Sequence, residues 1–241
     1  MSDDNTSPSN PFTSRGFIAA AVVVGVIILA AVIVLVTSLT APRDPVAQPT
    51  STPSGPVASG DDRSICGLEG FETESSLTAA PETKWELVGT VAAPTDAKVG
   101  PGKVDSDGLR TCFAHTAQGA LFASVNYIAL GSDARTRPYL AQLIEPGPGR
   151  DAAEAASSPD ASPSNARLQV AGFKVNSYTG AEAVIDIAWT VTSSGNKLVS
   201  YPMVMHWVDG DWMVSLTDAG QPPFSSSPLS SLGGYIPWAG V

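Results

Sequence analysis

The chain is predicted to fold as an α+β domain, a cone-like curved antiparallel sheet packed on helices that precede it, behind one transmembrane helix. Three observations predict this. "GFIAAAVVVGVIILAAVIVLVT" begins at Gly16 and carries no charge up to Val36. A stretch of Pro, Ser, Thr and Gly follows it, with little that can pack. Beyond that, helical spacing of apolar residues gives way, about halfway along, to strict alternation.

The apolar stretch would extend about 31 Å as a helix rising about 1.5 Å per residue, close to the thickness of bilayer hydrocarbon. A core helix would show a polar face, and this one has none. A cleaved signal peptide is the rival reading. Its apolar region would be shorter, about 7–15 residues, and would end in a small-x-small site that the exit "VTSLTAP" lacks. No cysteine follows closely enough to take a lipid. Residues 16–39 are therefore read as an uncleaved single-pass anchor.

Arg15 and Arg43 flank the anchor evenly, so the positive-inside rule does not orient it. The cysteines do. Cys66 and Cys112 are the only two in the chain, which suggests a disulfide and an oxidising compartment; two buried free thiols are the alternative. Residues 1–15 are expected in the cytoplasm. Residues 40–63 are expected to form a disordered stalk, and residues 64–241 an extracytoplasmic domain with a C-terminal arm.

Net charge is −10. Setting aside Asp3, Asp4 and Arg15 leaves 12 basic and 21 acidic side chains outside, a net −9. No run of Lys or Arg is present, so nucleic-acid binding by the folded domain is not expected.

Within the domain the elements follow in order. "KWELVGTVAAP" (84–94) reads as one short strand or extended lead-in ended by Pro94, and "VGPGKVDSDGLR" as turns. Thr116 can cap a helix whose apolar residues Leu121, Phe122, Val125, Ile128 and Ala129 form one buried stripe. "RPYLAQLI" suits a second short helix with Pro138 in its first turn. "EPGPGRDAAEAASSPDASPSNA" reads as a loop with one Ala-rich helical turn.

Alternation then takes over. "ARLQVAGFKVNSY", "EAVIDIAWTV", "KLVSYPMVMHWV" and "DWMVSLT" are separated by turn signals that include "SSGN" and "DGD". Ile185, Ile187, Trp189 and Val191 share one face of their strand, and Val199, Tyr201, Met203, Met205 and Trp207 share one face of theirs. The result is a four-stranded meander.

Chemistry is sparsely signposted. "CFAHTAQGALFASVNY" (112–127) places Cys112 three residues from His115, which raises a nucleophile–base pair. A Cys112 bonded to Cys66 cannot be a nucleophile, and no third orienting group is evident. His115 is expected to be half exposed beside the capped helix, bonding the entering backbone. His206 is expected on the sheet's outer face. Asp186 alternates away from Ile185 and Ile187, towards solvent. With no metal-ligand cluster and no phosphate or dinucleotide motif, no catalytic residue, metal or cofactor is expected. Asp186, Tyr201 and His115 are the candidate pocket residues.

Three stretches of sequence carry a resemblance. "CFAHTAQGALFASVNY", the upstream "W...GTVAAP....GP" (Trp85 to Pro101) and the closing "SLGGYIPWAGV" resemble a family of single-pass actinobacterial proteins found in integrative and conjugative elements. Helices followed by a curved meander, on a stalk, look like an extracytoplasmic module of the nuclear transport factor 2-like fold. The architecture is similar to the bitopic scaffold subunits of type IV secretion and conjugation machines. The resemblance implies a non-enzymatic scaffold or accessory subunit, with other membrane components of a transfer apparatus, or further copies of itself, as partners. Two other classes remain: a cell-envelope or lipid-transport-associated membrane protein, and a cone-fold small-ligand binder or enzyme.

The end of the chain reads two ways. "PPFSSSPLSSLGGYIPWAGV" has the Ser, Gly and Pro of a disordered tail, yet it carries Phe224, Leu229, Leu232, Tyr235, Ile236 and Trp238. Exposing such side chains is unfavourable. An extended arm is expected, packed on its own domain or on a neighbouring subunit; Phe224, Leu232, Tyr235, Ile236 and Trp238 are the candidate oligomer contact.

Overall fold

The computed structural model describes residues 62–156 and 167–239. The apolar span and the stalk up to residue 61 lie outside the described residues. Among those described, no helix is long and apolar enough to cross a membrane. The described domain is α+β, a mostly antiparallel sheet packed with helices.

Its frame is the meander of β5 (Leu168–Tyr178), β6 (Glu182–Val191), β7 (Lys197–Val208) and β8 (Asp211–Ser215), each antiparallel to the next. The turn between β7 and β8 has two residues, Asp209 at φ 52° and Gly210 at φ 85°. Both are left-handed, as a type I′ hairpin turn requires, and Asp and Gly are among the residues that adopt this conformation most easily. One face of β6 buries Ala183, Ile185, Ile187 and Trp189, and Met203 and Met205 of β7 lie beside them. Phe173 of β5 sits opposite Ile187 on the same face.

Helix α1 (Ala117–Ser132) packs on this face, capped by Thr116, whose hydroxyl accepts from the Gly119 N–H at 3.0 Å. The expected single stripe is too narrow a description. Every residue from Gly119 to Asn126 is buried, because the helix is covered on its far side too. The cover is a hairpin of β1 (Lys84–Val88) and β2 (Val91–Thr95), found where one strand was expected. Pro94 does not end that strand but lies within β2, opposite Trp85. Two side chains of the enclosed helix donate to main-chain carbonyls: Asn126 to that of Pro94 at 3.0 Å, and Ser124 to that of Ala120 at 2.8 Å.

The short pair β3 (Lys103–Val104) and β4 (Arg110–Thr111) follows the hairpin in the chain. Residues Arg137–Leu143 form a 3-10 helix with Pro138 at its start, and α2 (Pro148–Ala156) is a full helix of 9 residues rather than one turn.

The C-terminal arm closes the domain. Residues Ser227–Leu229 form β9 on the first part of β7, and Ile236–Pro237 form β10 on β5. The arm therefore starts at the β7 edge, crosses the sheet and ends at the opposite edge. Gly172 permits the last step, since a Cβ there would lie 2.8 Å from the Ile236 carbonyl oxygen.

Candidate functional site

Three polar clusters and one cleft hold the side chains that sequence singles out. The first lies at the start of α1. Cys112 is joined to Cys66 with a Cα–Cα distance of 6.0 Å, so it carries no thiol. Its backbone is left-handed, φ 67°, a conformation unusual for a residue with a Cβ. Asp211 holds it there. That carboxylate accepts from the N–H groups of Cys112 (2.6 Å), Phe113 (2.9 Å) and Trp212 (2.9 Å).

His115 is not half exposed: it is 2 % accessible. Its Nδ1 lies 2.7 Å from the Asp62 carbonyl oxygen and its Nε2 2.6 Å from that of Gly180. The ring stacks on Trp207, centroids 3.8 Å apart and 7° from parallel. The ring fastens three separate segments together: the residues after the stalk, the entry to α1 and the β5–β6 turn. Neither nitrogen faces Cys112 or a cleft.

Asp211 was not singled out by sequence, since "DGD" reads as a turn whichever carboxylate points inward. Burial pushes its carboxyl up, and the three backbone donors pull it back only in part. A native pKa above the unfolded value means that the folded state binds the proton more tightly. The stability this supplies is full below about pH 4 and is lost as pH rises through the raised value. Wild type should therefore lose stability relative to Asp211→Asn as pH rises from 4 to 7. Denaturant titrations of both proteins at several pH values measure the difference, and a pH-independent difference would contradict the sign.

The second cluster is on the sheet's other face. Asp186 was expected to face solvent, but it is 4 % accessible because the C-terminal arm passes over it. Ser200 Oγ and the Tyr235 hydroxyl each donate to its carboxylate at 2.7 Å, and Lys174 Nζ lies 3.9 Å away. Lys174 also sits 5.1 Å from the centroid of the Tyr235 ring. Tyr201 pairs with Ile187 and so projects from the opposite face of the sheet. Asp186, Tyr201 and His115 thus occupy three different places and do not converge.

The arm residues are engaged within the domain. Trp238 is 5 % accessible, with its ring centroid 4.7 Å from that of Trp85, 5.8 Å from Phe122 and 5.5 Å from Phe173. Its indole N–H donates to Thr83 Oγ1 at 3.0 Å. Tyr235 holds Asp186, Ile236 pairs with Phe173, and Leu232 is half-buried. Phe224 is exposed.

His206 forms the third cluster. It is half-buried on the face of β7 opposite Met205: Nδ1 lies 2.6 Å from Glu145 Oε2, and Nε2 lies 3.3 Å from Glu182 Oε2. It ties the loop after the 3-10 helix to β6 and β7. A buried Arg110 similarly links β4 to Glu86 of β1 at 2.8 Å. Among the described residues, no group of three or more His, Cys, Asp or Glu side chains is arranged to hold a metal ion.

The cleft is separate from all three clusters. It holds about 230 Å³ and lies between α1, α2 and the middle of β7, with Tyr127 and Tyr201 among its walls.

No curated protein and no solved structure matches the chain. One family does: its model, described as a domain of unknown function (DUF8175), matches residues 45–237. That match spans most of the expected stalk and nearly all of the folded domain, and the chain belongs to this family.

Proposed function

We propose that the chain is a non-enzymatic, single-pass membrane scaffold or accessory subunit of a conjugative transfer apparatus in an actinobacterium. Its α+β domain, of the nuclear transport factor 2-like kind, stands outside the cell membrane. The observation that carries the reading is the Cys66–Cys112 bond at the root of the domain, behind an apolar span and a Pro-rich stretch. A disulfide suits an oxidising compartment. The polar side chains buried near it are engaged in closing the fold, as a module that presents surface to partners requires. The transfer apparatus itself enters through the resemblance of the sequence words.

Cross-linking in donor cells, detergent extraction and identification of the co-purified proteins test the assignment. A coupling ATPase or other transfer-channel components are expected, together with loss of mating on deletion and recovery on complementation. Recovery of lipid-import components instead, with unchanged mating, would replace it with an envelope-transport role.

A further inference from the structure

Strand β7 has a break in its outer edge. β9 pairs with Leu198–Ser200 and β8 with Val204–Val208, so among the described residues Tyr201, Pro202 and Met203 have β6 on one side and no strand on the other. Pro202 offers no N–H to a neighbouring strand, which suits such a break. The cleft of about 230 Å³ opens there. Its walls are Tyr201 and Met203 of β7, Tyr127 of α1, Ala153 of α2, and Leu216 and Pro222 beyond β8. This is room for about seven or eight waters at about 30 Å³ each, or a small organic molecule.

The two tyrosines distinguish this space from a packing defect. The hydroxyls of Tyr178 and Tyr235 donate to the His115 carbonyl and to Asp186. Those of Tyr127 and Tyr201 have no hydrogen-bond partner among the described residues. Both residues are half-buried at the cleft, so each hydroxyl is left free to donate to whatever occupies it. Burial pushes the Tyr127 phenol up to about 12, aided by the neighbouring Tyr201, and burial raises Tyr201 as well. Both therefore keep their protons at physiological pH and act as donors.

The rest of the lining selects the ligand. No charged side chain is among the described residues around the cleft, so an ionised molecule would lose its hydration without a counter-charge. A carbonyl oxygen has two lone pairs and can accept from both phenols. We infer that this cleft binds a small, uncharged, largely apolar molecule whose carbonyl oxygen accepts hydrogen bonds from Tyr127 and Tyr201. The inference is independent of the scaffold reading.

The test uses the full chain in lipid nanodiscs and 2-octanone labelled with ¹³C at the carbonyl, with empty nanodiscs fixing the free concentration. Saturable binding is expected, with a downfield shift of the bound carbonyl signal and movement of the Tyr127 and Tyr201 ring resonances. Resonances of Tyr178 and Tyr235 should stay in place. The Tyr127→Phe, Tyr201→Phe double variant should bind about 10-fold more weakly or worse, the loss expected for removing the donors. On the unaltered protein, n-octane at equal free concentration should compete about 10-fold less well than unlabelled 2-octanone. Three results would each overturn the inference: no saturable binding, equal competition by n-octane, or full binding by the double variant.

Discussion

Trp238→Ala is expected to lower the unfolding free energy by about 3–5 kcal/mol, the range for emptying a large aromatic site in a packed core. Trp238 meets Phe173 of β5, Phe122 of α1 and Trp85 of β1, so one side chain joins the sheet, the helix and the covering hairpin. Removing it leaves a cavity among all three, and Thr83 Oγ1 loses its donor. The release should also loosen β10 from β5. Phe224→Ala is the control: its ring is exposed, and the change should fall within about 0.5 kcal/mol of zero. Equilibrium denaturation of both variants checks the pair. A Trp238→Ala cost below about 1 kcal/mol would mean that the arm does not close the domain.

Replacing Cys66 and Cys112 together by Ser is expected to cost about 2–4 kcal/mol. The two lie 46 residues apart, for which the chain-entropy account gives about 4 kcal/mol, an upper figure. The loss should be local at first. Asp211 still holds the N–H groups of Cys112 and Phe113, and His115 still bonds at Asp62 and Gly180. Hydrogen exchange should therefore speed up in residues 62–77 while the amides of β5 to β8 stay protected. Uniform loss of protection, or a cost below about 1 kcal/mol, would contradict this division.

The meander was legible in the sequence because alternation is a local signal. Strands β5 to β8 coincide with four alternating words, and "DG" gave the two-residue turn between β7 and β8 its identity. Thr116 and the apolar residues after it located α1 for the same reason. What failed was long-range. A stripe on α1 was expected because nothing local says that a hairpin some 30 residues earlier covers the other side. "GT" within "KWELVGTVAAP" is a hairpin turn that Pro94 disguised as a terminator.

The site residues show the limit most plainly. Asp186 alternates as an outward residue should, and the reason it is buried lies 49 residues further on at Tyr235. His115 was expected to be half exposed, yet the oxygens that its nitrogens meet are 53 and 65 residues away in sequence. Asp211 holds groups 98 and 99 residues distant. The cleft beside Tyr127 and Tyr201 depends on β8 and β9 sharing one edge of β7, and pairing of that kind leaves no mark in any single stretch of sequence.

Location outside the membrane is the premise on which the disulfide, the stalk and the partner surface all depend. The most direct test is to introduce Ser54→Cys in the expected stalk and treat intact cells with a membrane-impermeant maleimide. Labelling in intact cells, with Cys66 and Cys112 unreactive unless reduced, is the predicted result. Labelling of the introduced cysteine only after permeabilisation would place the domain in the cytoplasm and contradict the account.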